Sequence, residues 1–157
     1  MPLPAKIDEE PYSCDTFLIA PDFGSVRNTL VRVSAWLSDQ NVQPENCDNV
    51  QLVLAEILNN IVEHGSLWAS QEIKLTVSLT SENIDCRIRD LGRPIRVLLR
   101  KSNYGLPDET VTSELPEGGF GLFLVQSIAR DIRYLPIKTG NHLALCVPLI
   151  TDSEQIY

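Results

Sequence analysis

The sequence predicts an α+β fold, a two-layer sandwich with helices packed on one face of a mostly antiparallel sheet. Apolar residues recur at helical spacing in three segments, near 23–40, 46–64 and 120–132. Strictly alternating runs come in pairs, 72–79 with 84–90 and two more around the Thr139-Gly140-Asn141 turn. Strands grouped in pairs with helices between them favour helices stacked against one sheet face.

The elements follow in chain order. Pro2, Pro4 and Pro11 mark residues 1–14 as a flexible N-terminal arm, 15–150 as one folded domain, and 151–157 as a tail. TFLIA at 16–20 is a short strand ended by Pro21. Val26, Leu30, Val33, Trp36 and Leu37 place one apolar stripe on a helix from Phe23 to about Gln40. Asn46 or Asp48 is the expected cap of a second helix running to about His64, with Gly65 as its stop signal. Ile73, Leu75, Val77 and Leu79 then alternate with polar residues, and 84–90 alternates again after the SEN turn, which predicts a hairpin. From Gly92 to Gly121 three prolines and five glycines break every period, and a loop of that length in a compact domain is usually functional or disordered.

Composition narrows the function classes. With 157 residues and 43% apolar content the chain is long enough to bury a core without staples. Its net charge of −8 gives no electrostatic reason to bind nucleic acid. One local basic group, Arg87, Arg89, Arg93, Arg96, Arg100 and Lys101, reads as partner or phosphate contact. The N-terminal segment has no apolar core of a secretory signal, and no apolar run is long enough to span a membrane, so a cytoplasmic protein is expected. Cys14, Cys47, Cys86 and Cys146 form no CxxC pair, which argues against a metal site or a disulfide framework; Cys86 and Cys146 read as buried small hydrophobes.

Three short motifs carry candidate chemistry. On LAEILNNIVEHG, Glu56, Asn60 and His64 recur every four residues, so each is displaced by about 40° around the helix from the last. This line borders the stripe of Leu54, Ile57, Leu58 and Ile61, and is either a solvated edge or the wall of a site. DLGRP places Asp90 at a strand end with Gly92 two residues on, either an ordinary turn or a carboxylate presented to a ligand amine. EGGFGLFLV puts Gly118, Gly119 and Gly121 at the opening of a helix, either a simple helix entry or a backbone cradle for an anion.

In that order, the motifs make the chain resemble the GHKL (Bergerat-fold) ATPase superfamily, and within it the RsbW-like anti-sigma-factor serine/threonine kinases. The resemblance runs from about Thr16 to Leu149 and identifies the 15–150 domain as a histidine-kinase-like ATPase domain. It implies that Glu56 orients or activates the nucleophile and that Asn60 ligates Mg²⁺ between the phosphates of ATP. It implies that Asp90 receives the adenine amino group and that Gly92 lets the purine approach. Gly119 and Gly121 cradle phosphate, and His64 either faces the phosphates or only finishes its helix. Two features depart from the family pattern: IRVLL follows DLGRP where an acidic-Pro pair is common, and Gly140 is followed by Asn141 where Thr is usual.

The resemblance implies an ATP- and Mg-dependent protein kinase in a partner-switching circuit. Its partners would be a STAS-domain anti-anti-sigma protein as substrate and a sigma factor held inactive, with a homodimer left open. An ATP-binding interaction module without kinase activity is the alternative, and Glu56 argues against it, because a pure binder has no use for that carboxylate.

Overall fold

The computed structural model describes residues 10–65, 67–95 and 119–151. In chain order the elements are β1 (Ser13–Ile19), α1 (Phe23–Asp39), α2 (Pro44–His64), β2 (Ile73–Leu79), β3 (Asn83–Asp90), α3 (Gly119–Ile128), β4 (Arg130–Ile137) and β5 (Gly140–Pro148). The strands form one sheet in the order β1-β2-β3-β5-β4, and each neighbouring pair is antiparallel. The expected α+β sandwich is therefore the observed one.

Alternation along the strands separates two faces. Ile73, Leu75, Val77 and Leu79 of β2 are buried with Ile84, Cys86 and Ile88 of β3 and Leu143, Leu145 and Val147 of β5. Against them pack Leu54, Ile57, Leu58 and Ile61 of α2, all but inaccessible, and Val26, Val33 and Leu37 of α1. The opposite face carries Lys74, Arg87, Arg89 and their neighbours, which stay in water. Burying each large aliphatic side chain contributes about 1.5–3 kcal/mol, so this helix-facing layer supplies most of the drive to fold.

Helix α1 begins where expected. The Asp22 carboxylate accepts the Ser25 N–H at 2.7 Å and the Ser25 hydroxyl at 2.8 Å, an N-cap that also draws the Asp22 carboxyl below its ordinary range. Helix α2 starts earlier than the expected Asn46 or Asp48 cap. Pro44 occupies its first turn, where a missing N–H costs nothing and a fixed φ suits the helix. Asn46, freed from capping, is buried and clasps the far end of the chain: Nδ2 donates to the Ile150 carbonyl at 3.1 Å and Oδ1 accepts the Ile150 N–H at 2.8 Å.

Three further expectations shift. β1 begins at Ser13, ahead of Thr16, because the ladder to β2 is already running there and the Tyr12 N–H still reaches the Leu79 carbonyl at 3.1 Å. α3 ends at Ile128 instead of 132, and the chain passes directly into β4 through an irregularity between Arg130 and Arg133, with Asp131 at φ 52°. Cys86 is buried as expected, whereas Cys146 lies half-buried on the opposite face with its Sγ 3.9 Å from Asp131 Oδ2. None of the four cysteines is in a disulfide. Of the long segment 92–121, Arg96, Arg100, Lys101 and Gly118 lie outside the described residues. Among the described residues no helix is long and apolar enough to cross a membrane.

Candidate functional site

The three motifs converge on the C-terminal half of α2. Glu56 and Asn60 lie half-buried on its edge, one turn apart. The Asn60 amide nitrogen donates to the Glu56 backbone carbonyl at 2.7 Å, which fixes the side chain against its own helix. Its oxygen, the atom a hard cation prefers, has no hydrogen-bond partner among the described residues.

Gly121 brings α3 against this edge. A Cβ added there would collide with the Glu56 carboxylate, so any larger residue would have to push that side chain aside. The sequence-predicted pair Glu56 and Gly121, 65 positions apart, is thus in direct apposition. Gly119 begins the same helix. His64 stands apart: it is exposed at the last turn of α2, with Nε2 3.7 Å from Glu63 Oε2.

The end of β3 is tied to the end of α2. The Arg93 N–H donates to the Gly65 carbonyl at 2.8 Å, and a Cβ on Gly92 would strike that same carbonyl. Asp90 is only 4% exposed, on the helix-facing side of the sheet. Its Oδ1 accepts the Gly92 N–H at 2.8 Å and the Asn141 amide at 3.0 Å. Oδ2 has no such partner among the described residues. Burial raises the Asp90 pKa above the ordinary carboxylate value, opposed by the Asn141 and Gly92 hydrogen bonds and by nearby His142.

Asn141 is the residue that sequence reasoning undervalued. It is fully buried at the start of β5, directly opposite Asp90 in the ladder. Its Nδ2 reaches Asp90 Oδ1, the Gly92 carbonyl at 3.1 Å and the Arg93 carbonyl at 3.3 Å, while its Oδ1 is buried without a partner. A threonine hydroxyl there would be too short to hold all three acceptors. Gly140 makes the register workable, since its φ of 133° suits glycine and a Cβ would meet the Asp90 carbonyl. One signal for this cluster was visible beforehand, the Gly140-Asn141 departure. A second anchor was not: the Tyr134 hydroxyl accepts the buried Ile95 N–H at 3.0 Å, and burial pushes its pKa up to about 12.

Chemically the cluster offers one acceptor carboxylate in a low-dielectric niche, one amide oxygen, and one half-buried carboxylate facing a glycine. No group of three or more metal-ligating side chains occurs among the described residues. A lone neutral oxygen ligand fits a cation carried in by phosphates, not one held by protein alone.

A family profile described as the histidine kinase-like ATPase domain matches residues 19–147. The chain belongs to that family. Serine-protein kinase RsbW of Oceanobacillus iheyensis is 29% identical to it over 92 residues, 57% of this chain and 58% of that protein. Serine-protein kinase RsbW of Bacillus mycoides is 26% identical over 92 residues, again 58% of the relative's length. The match thus spans less than two thirds of these relatives. Among solved structures, the RsbU and RsbW domains of a Mycobacterium tuberculosis protein share the fold with a TM-score of 0.61 at 14% identity, covering 88% of this chain and 33% of that one. The SiaB-SiaC complex from Pseudomonas aeruginosa aligns with a TM-score of 0.59 at 13% identity, covering 89% and 90%. This member of the histidine kinase-like ATPase domain family is thus similar to RsbW proteins over part of their length and shares the fold of RsbW domains.

Proposed function

We propose that the chain is a Mg·ATP-dependent serine/threonine protein kinase that phosphorylates a STAS-domain antagonist and, between rounds, restrains a second partner such as a sigma factor. The observation that carries this reading is the apposition of Glu56 to Gly121. It sets a carboxylate beside the opening turn of a glycine-led helix, one turn from an amide with a free oxygen. The serine-protein kinase relatives and the SiaB-SiaC complex among the structural neighbours support the same reading.

Bound Mg·ATP supplies the phosphoryl group and the charge neutralisation that such transfer requires. Asp90 Oδ2 accepts a hydrogen bond from an exocyclic amine, while Oδ1 holds the loop that shapes the niche. Asn60 Oδ1 would be the protein's ligand for the metal. Glu56 orients the acceptor hydroxyl and receives its proton. The backbone N–H groups at the start of α3, including Gly119, face anionic oxygens with the favourable end of the helix dipole.

Thermal unfolding with and without Mg·ATP tests the nucleotide site, since a ligand at 100 times its Kd adds about 2.7 kcal/mol. Asp90→Asn should abolish most of that shift. Radiolabel transfer from ATP to a STAS-domain protein tests the kinase, and Glu56→Ala should lose it while keeping the thermal shift. A native protein that shows the shift but never transfers label is a nucleotide-binding module instead.

A further inference from the structure

The sheet face turned away from the helices carries a second feature, independent of the nucleotide site. Two cations and an imidazole stand in one row across adjacent strands: Lys74 on β2 is directly opposite Arg89 on β3, which is directly opposite His142 on β5. The neighbouring row holds Thr76, Arg87, Ala144 and Arg133. No carboxylate is paired in either row among the described residues; Asp85 stands in the row after, close enough to feel Arg87, and Asp131 lies near it beside Cys146, so the acidic groups bound the basic rows on one side only. Lys74, Arg87 and Arg89 are exposed.

Such a row is locally unfavourable. Like charges directly opposite on an antiparallel pair destabilise it. Burial, and after it the Arg89 charge, holds the His142 pKa below its ordinary value, and His142 Nε2 is buried without a partner. The cluster is also the reverse of the molecule's overall sign, since the whole chain carries −8. A basic row kept on an acidic protein, at a cost to its own sheet, is complementary to an anionic surface. The row spans three strands, roughly 10 Å at the usual strand spacing, which suits an extended acidic chain more than a single small anion.

We propose that the open face of the sheet, centred on Lys74, Arg87 and Arg89, is a docking surface for an acidic segment of a protein partner. The segment lies across β2, β3 and β5 and exchanges its water for these cations. Because the face lies behind the sheet from Glu56 and Asp90, docking leaves the nucleotide niche open. Opposite local charge also steers the encounter of a partner that the net charge of this chain would otherwise repel.

The test uses the full chain and a fluorescein-labelled oligoglutamate peptide followed by anisotropy at low salt. Wild-type protein should bind, and raising salt to about 0.5 M should release the peptide. Lys74→Glu with Arg89→Glu should weaken binding by about tenfold or more, with the circular-dichroism spectrum and the Mg·ATP thermal shift unchanged. The single change Arg89→Gln should weaken binding while leaving the melting temperature equal or higher, because it relieves the like-charge row; a row serving only the fold would lower it. Absence of peptide binding, equal affinity in the doubly reversed variant, or displacement of the peptide by a single-stranded oligonucleotide that binds tighter would each overturn the proposal. Failure of the nucleotide reading would abolish the Mg·ATP shift and leave the peptide titration as it is.

Discussion

Asp90 commits one oxygen to the fold and leaves the other for a ligand, so the groups around it set both stability and pH response. Its folded pKa lies above its unfolded value. Its contribution to stability is therefore fully present below the unfolded pKa and is lost as pH rises through the folded one. Nucleotide binding runs the other way: it needs the ionised carboxylate, and should fall off on acidification earlier than an ordinary carboxylate would dictate. Asn141→Ala removes a donor that lowers this pKa. The variant should lose about 1–3 kcal/mol at neutral pH and progressively less on acidification, as Asp90 takes up its proton, as read by urea unfolding across a pH series. The glycines separate by what their Cβ would meet. Gly121→Ala meets the movable end of the Glu56 side chain, so stability should change by under about 1 kcal/mol while transfer drops by ~100-fold as the carboxylate is displaced. Gly92→Ala meets a backbone carbonyl that cannot swing aside, and should cost about 1–3 kcal/mol together with nucleotide affinity. Glu56, Asn60, Asp90 and Gly121 were legible as site candidates because each sits at a local spacing that a helix or strand end makes meaningful. The threefold grip of Asn141 was not, because it joins positions 51 apart whose meeting depends on the β3–β5 register.

Helix α2 is the element on which both the core and the site depend. Ile57 is nearly inaccessible on its apolar arc, beside Glu56 on its edge. Ile57→Ala should therefore destabilise by about 2–5 kcal/mol, and at temperatures where the variant stays folded the Mg·ATP thermal shift should persist. The element boundaries divide instructively. The existence of α1 and α2 and the β2–β3 pair follow from periodicities sustained over whole segments. The end of α3 does not: the helical pattern of FLVQSIARDI continues past Ile128, and only pairing of Arg130 and Arg133 with β5 draws those residues into a strand. The last helical hydrogen bond, from the Ala129 N–H to the Val125 carbonyl at 2.7 Å, marks where tertiary pairing prevails over local preference. The start of α2 was misplaced for the opposite reason, since Asn46 has the chemistry of a cap but uses it across the molecule.

At the level of the whole molecule, the sheet divides labour between its faces. The buried face, with the helices, holds the niche at the ends of β3 and β5; the open face presents basic residues to solvent. From sequence the basic residues at 87 and 89 read as a local cluster with 93 and beyond, because folding alone reveals that Lys74 and His142 join them and that Arg93 turns away toward α2. The Asn46 clasp on Ile150 adds a consequence for anyone who edits this chain. One side-chain amide, acting like a missing strand, closes the polypeptide into a ring of 105 residues that contains every site group. A truncation that stops at Pro148 would open that ring at the foot of the helix bearing Glu56 and Asn60, and protease sensitivity should then spread from the cut end into α2, whereas a cut after Thr151 should leave the ring shut.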